Sequence, residues 1–189
     1  FKKRGLNNVN SNETFDKMLN PSFLSLNFQI SLPLGSYPIG QHSEFKVSSG
    51  STSAVEGAYF FNPYVGVGGR IGVTRTSVIV NKVKAEDNVF DAWRISGGAY
   101  FSYPLSERWL VGSKLLAERV HYPDLQLTNY LIDSQHSFAF GTGLSMTFRA
   151  RQRYGIRLLL DYDLMPYRAQ GKPTCIHSLT LGSAFLITF

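Results

Sequence analysis

The residues of this chain best suited to moving protons are four histidines, His42, His121, His136 and His177, three of which have a serine next in sequence, Ser43, Ser137 and Ser178. Acyl transfer or hydrolysis needs a nucleophilic serine beside an imidazole that a carboxylate orients. Adjacent residues of a strand point to opposite faces, so His136 is badly placed to serve Ser137. No His-x-Ser spacing occurs. Solvated or interfacial histidines are the simpler reading, and no catalytic residue is assigned. Gly66-Val-Gly-Gly-Arg-Ile-Gly72 resembles a phosphate-cradling loop only superficially, because it has neither the dinucleotide nor the P-loop spacing. The single Cys175 excludes an internal disulfide. An intermolecular bridge and a lipid-exposed thiol stay open beside an inert thiol. No metal or cofactor site is expected.

The charged residues carry more. A formal net charge of +6 raises nucleic acid as a partner. The basic residues are too dispersed for that: Lys2, Lys3 and Arg4 lie in a polar head, Arg149, Arg151 and Arg153 in one short connection, and Arg70, Arg94, Lys114 and Arg157 singly inside strand-like runs. No nucleic acid is expected. The Arg149, Arg151, Arg153 group reads as a basic turn, either facing lipid headgroups or simply solvated.

What must position these groups is a series of strands. At the C-terminus Leu179, Leu181, Phe185, Ile187 and Phe189 share one parity, and Thr180, Gly182, Ala184 and Thr188 the other; Ser183 and Leu186 break the pattern. That beat marks a strand with one apolar face. It recurs over about 24–34, 53–61, 65–73, 93–103, 109–120, 137–149 and 154–164, which predicts eight strands and almost no helix. The apolar run of eighteen residues that a transmembrane helix would need is absent. The predicted connections alternate: 62–64, 104–108 and 150–153 are short, whereas 35–52, 76–90, 121–135 and 165–175 are long and polar. An even number of antiparallel strands with tight turns at one rim and long loops at the other is the layout of a transmembrane barrel, with both termini at the tight-turn rim.

Aromatics bracket the apolar faces. Trp93 and Tyr103 flank one strand, Phe138 and Phe148 another, Tyr154 and Tyr162 a third, with Trp109 and Phe189 at tight-turn ends. Their eight- to ten-residue spacing spans roughly 20–25 Å at ordinary strand rise and tilt, the height of the apolar band of such barrels. They are expected at the membrane interfaces. The opposite faces carry Glu56, Arg70, Arg94, Lys114, Glu118, Arg157, Asp161 and Asp163, four charges of each sign, among glycines. A soluble barrel would expose them. In an eight-stranded membrane barrel they would point inward, where side chains just fill the interior and unpaired charge is costly. A paired interior charge network is therefore expected, closing the barrel as a plug.

With these residues in view, about Leu24 to Phe189 resembles the small eight-stranded outer-membrane barrels of the OmpA/OmpX type. The resemblance implies an all-β, antiparallel up-and-down transmembrane barrel over 21–189 in a Gram-negative cell envelope, with outer-membrane lipid and lipopolysaccharide around it. The strand carrying Leu179, Leu181, Phe185, Ile187 and Phe189 resembles the signal read by the barrel-insertion machinery. Residues 1–20 fall outside the resemblance and are expected to be a polar extension or linker; the chain, lacking an initiator Met, is expected to follow processing or a longer N-terminal part. One architecture hosts many activities. The reading is a non-enzymatic structural or accessory subunit that binds a protein partner through its long loops, where Tyr37, Phe45, Phe90, Tyr122, Tyr130, Leu131 and Tyr167 lie. Alternatives are a lipid-A-modifying acyltransferase or deacylase, and a narrow pore.

Overall fold

The computed structural model describes residues 21–34, 37–39, 43–80, 83–123, 125–127, 130–132, 135–150, 153–169 and 172–189, the side chains of 37–47, 78–90, 125–135 and 167–174 excepted. Eight strands form the wall: β1 (Phe23–Leu34), β2 (Ser43–Phe60), β3 (Val65–Val80), β4 (Val83–Pro104), β5 (Trp109–Tyr122), β6 (Gln135–Arg149), β7 (Tyr154–Ala169) and β8 (Lys172–Thr188). Each pairs antiparallel with its sequence neighbour, and β1 pairs with both β8 and β2. The sheet therefore closes. A short strand at Tyr37–Ile39 pairs with the start of β2, and Leu125–Leu127 pairs with Tyr130–Ile132 in a small hairpin between β5 and β6. Among the described residues there is no helix.

The register fixes the shape. Following cross-strand partners from Phe23 through Ala58, Gly68, Gly98, Leu116, Gly141, Asp163 and Ser178 returns to β1 at Pro33, ten residues further on. For eight strands that stagger sets a tilt of about 40° from the barrel axis. The rows climb from β1 toward β8.

Three tight turns share one rim. Asn62 Oδ1 accepts from the backbone N–H groups of Tyr64 and Val65, both at 2.9 Å. Ser106 Oγ accepts from Trp109 N–H at 3.2 Å, and Ala150 N–H donates to Tyr154 O at 3.1 Å. The opposite rim departs from expectation. Residues 43–52, 76–80, 83–90, 165–169 and 172–175, which the sequence suggests are loop, continue the strands. β4 has 22 residues, which at ordinary rise and tilt is roughly 55 Å of height, about twice an apolar band. Along these stretches the regular apolar–polar alternation lapses while backbone pairing goes on. Cys175 accordingly lies in β8, opposite Pro166, with a free thiol.

Each strand sorts its side chains by parity. In β1, Leu24, Leu26, Phe28, Ile30 and Leu32 are exposed while Ser25, Asn27, Gln29 and Ser31 are buried. The polar face is inside and the apolar face outside, the reverse of a water-soluble barrel. Inward-facing apolar residues form two further layers. Phe23, Ala58, Phe60, Tyr100 and Leu186 lie toward the tight-turn rim and cluster with Leu116, which stands higher on β5 between Lys114 and Glu118. Ala92, Val120, Tyr122, Met165 and Ile176 are buried toward the other. Tyr122, which sequence placed among loop aromatics, is 1% exposed inside the barrel, because its parity on β5 is the inner one.

Candidate functional site

Between the two apolar layers lies a layer of charge. Glu56 sits on β2, Arg70 on β3, Arg94 on β4, Lys114 and Glu118 on β5, and Arg157, Asp161 and Asp163 on β7, all facing inward and 1–8% exposed. Every second residue of a strand shares a face, so Lys114 and Glu118, like Arg157, Asp161 and Asp163, enter the same interior. The structure brings the eight together. Arg70 is the hub: its Nη1 donates to Asp161 Oδ2 at 2.9 Å, and its Nη2 to Asp163 Oδ1 at 3.2 Å and to Glu118. Arg94 Nη1 donates to Asp163 Oδ2 at 2.6 Å and its Nη2 to Thr74 Oγ1 at 2.8 Å. Lys114 Nζ lies 2.7 Å from Glu56 Oε2 and 3.0 Å from Asp161 Oδ2. Arg157 is 3.8 Å from Glu56 Oε1, donates to Thr147 Oγ1 at 2.9 Å and stacks 3.7 Å from the Phe23 ring centroid.

Neutral side chains complete the layer. Asn27 Nδ2 donates to Glu56 Oε2 and Gln29 Nε2 to Asp161 Oδ2, both at 3.0 Å. Glycine makes the room: a Cβ on Gly143 would collide with Asp161 Oδ1 and Lys114 Cε. Sequence reasoning missed how the layer is sealed. Two small cavities flank it, about 30 Å³ lined by Phe23, Tyr100, Leu110 and Leu186 among others, and about 20 Å³ lined by Ala92, Tyr122, Met165 and Ile176 among others. The signal was present in the inner-parity exceptions Leu186, Leu159 and Val120, each at most 2% exposed. Arg149, read as part of a rim turn, is instead buried on the inner face of β6 at 6%; Arg153 is exposed, and Arg151 lies outside the described residues.

On the outer face Trp93, Tyr103, Trp109, Phe138, Tyr154 and Phe189 are exposed; Phe148 and Tyr162 are half-buried. Trp109 packs on Phe148 with ring centroids 4.9 Å apart. Leu181, Phe185 and Ile187 point outward with Phe189, and Leu179 is half-buried among them. Of the histidines, His177 Nδ1 is 2.6 Å from Tyr162 Oη, and His121 stacks on His136 at 4.5 Å. Residues 1–20, His42 and the side chains of Ser43, Tyr37, Phe45, Phe90, Tyr130, Leu131 and Tyr167 lie outside the described residues.

No protein-family model and no curated protein sequence matches the chain. Solved structures do. The outer membrane protein OprG from Pseudomonas aeruginosa superposes with a TM-score of 0.66 at 10% identity, over 89% of this chain and 97% of that one. Neisserial surface protein A gives 0.57 at 14% identity, over 88% and 97%. Ail, the attachment invasion locus protein of Yersinia pestis, gives 0.50 at 16% identity, over 87% and 97%. The wall, the register and these likenesses agree: the chain has the fold of the small eight-stranded transmembrane barrels of the outer membrane.

Proposed function

We propose that the chain is a non-enzymatic outer-membrane protein, a structural or accessory subunit that holds a protein partner in a larger assembly of a Gram-negative envelope. The observation that carries this reading is the filled interior: eight charges joined in one layer, with an apolar layer on either side. Such a barrel works as an anchor, and what is specific to it lies on its outside. The strands that continue above the apolar band supply a broad protein surface on one rim. Both ends of the barrel lie at the tight-turn rim, the periplasmic side in barrels of this build. The exposed aromatics then mark the two interfaces, and the strand ending in Phe189 serves as the insertion signal.

The rival readings have less support. A lipid-A-modifying enzyme needs a serine, an imidazole and a carboxylate in one cluster at the outer rim, whereas His177 is engaged with Tyr162, and His121 with His136. A pore needs a water path through a layer of paired charge. The test is gentle detergent extraction from native membranes, followed by sizing and mass spectrometry. Stoichiometric co-migration with a second protein is the expected result. A lone species near 21.2 kDa plus detergent would overturn the subunit reading.

A further inference from the structure

One stretch of the outer wall carries side chains that lipid tails disfavour. Arg119, on β5, is exposed on the outer face between Ile95 of β4 and Phe138 of β6. His121, one step higher on that face, is flanked by Trp93 and His136. The two imidazoles stack with 30° between their planes, and His121 Nδ1 is shielded from solvent without a hydrogen-bond partner. Arg75, the outward arginine of β3, is held by Asp91 at 2.9 Å. No carboxylate among the described residues pairs with Arg119 in this way. Ten residues separate Arg119 from Trp109 at the tight-turn end of β5, which at ordinary rise and tilt is about 25 Å, the height of the apolar band. The guanidinium therefore stands where headgroups of the far leaflet begin.

Beneath it the wall is hollowed. The next outward residue down β5 is Ala117, and its cross-strand neighbours run Gly97, Gly69 and Gly57. With strands about 4.8 Å apart, these four positions make a furrow roughly 14 Å long. It is bordered by Ile95, Ile71 and Val55 above and by Leu115, Val67 and Tyr59 below. Because rows climb from β1 toward β8, the furrow descends from Arg119 into the membrane. Internal packing does not demand it throughout: the nearest atom to a Cβ would be 3.7 Å away at Gly97 and 3.4 Å at Gly57.

We propose that this face is a lipid-binding site for a lipid-A-type phosphoglycolipid, with Arg119 and the His121–His136 pair on the phosphate and one acyl chain in the Ala117–Gly97–Gly69–Gly57 furrow. A cation with two imidazole donors at headgroup height, flanked by Trp93 and Phe138 and opening onto an apolar furrow, complements an anionic head joined to a hydrocarbon tail. The inference rests on the outer-membrane reading, which turns this rim outward.

The test is native mass spectrometry of the full chain folded in a neutral detergent and titrated with lipid A, with lipid A stripped of its phosphates, and with lipid A plus excess inorganic phosphate. The expected result is a one-to-one lipid A adduct. It should weaken about tenfold for the stripped lipid and for the triple variant Arg119→Gln, His121→Gln, His136→Gln, and several-fold for Gly97→Leu. Equal binding by the stripped lipid or by the triple variant overturns the proposal, as does displacement of lipid A by inorganic phosphate, which would mark a bare anion site. Faster gel migration before boiling than after verifies that each variant is folded. A protein that stays in solution without detergent defeats the outer-membrane reading itself; a detergent-dependent, heat-modifiable barrel with no preference for lipid A defeats this inference alone.

Discussion

Arg70 has the most to lose of any single side chain. Three carboxylates, on Glu118, Asp161 and Asp163, converge on its guanidinium with the arginine itself 3% exposed. Arg70→Met would leave those three carboxylates without the guanidinium on which they converge. We expect a loss of about 3–5 kcal/mol, the scale of breaking a buried ion pair by removing one partner. Urea unfolding in lipid vesicles measures it, and an unchanged midpoint would contradict the hub role. Parity in sequence sorts side chains onto two faces, and these eight charges share the face that the structure buries. Which charge meets which was illegible, because Arg70 and Asp163 are 93 residues apart and meet only through closure and stagger.

Single strands have two solvents, and substitutions on either face should tell them apart. Leu158 is 58% exposed midway between Tyr154 and Tyr162 on the outer face of β7. Leu158→Arg is expected to cost about 2–4 kcal/mol near the bilayer midplane. The same change to an exposed position in water would be close to neutral, so a negligible shift in vesicle unfolding would place this face in water. Leu186, one residue away from Phe185 but fully buried, belongs to the inner apolar cluster. Leu186→Ala should cost about 2–5 kcal/mol by opening a cavity, while Phe189→Ala, at an exposed end, should slow assembly into membranes more than it lowers equilibrium stability. Timed assembly into native membranes checks the pair; equal assembly rates would remove the insertion role from Phe189. Strand identity within the apolar band was legible from alternation. The upward continuations of β2, β3 and β4 were not, since the regular apolar–polar alternation lapses there while the strands stay paired. Leu186 reads as an error in the pattern until the interior is seen to need an apolar layer.

Closure is a property of the whole molecule, and it reached the sequence only through an even strand count and alternating connections. The ten-residue stagger and the two apolar layers could not be read there, because they depend on how distant strands meet. A closed, filled barrel predicts no steady single-channel conductance in planar bilayers; discrete, reproducible openings would restore the pore reading. The central claim is that the exposed apolar wall faces lipid between two interfaces. The chain's two tryptophans, Trp93 and Trp109, are placed to test it, being exposed at opposite ends of that wall. The measurement is fluorescence quenching of the single-tryptophan variants Trp93→Phe and Trp109→Phe, folded into vesicles whose lipids carry bromine at graded depths. Strongest quenching of both by bromine near the headgroups is the predicted result. Quenching deepest at the bilayer centre, or none at any depth, would contradict it.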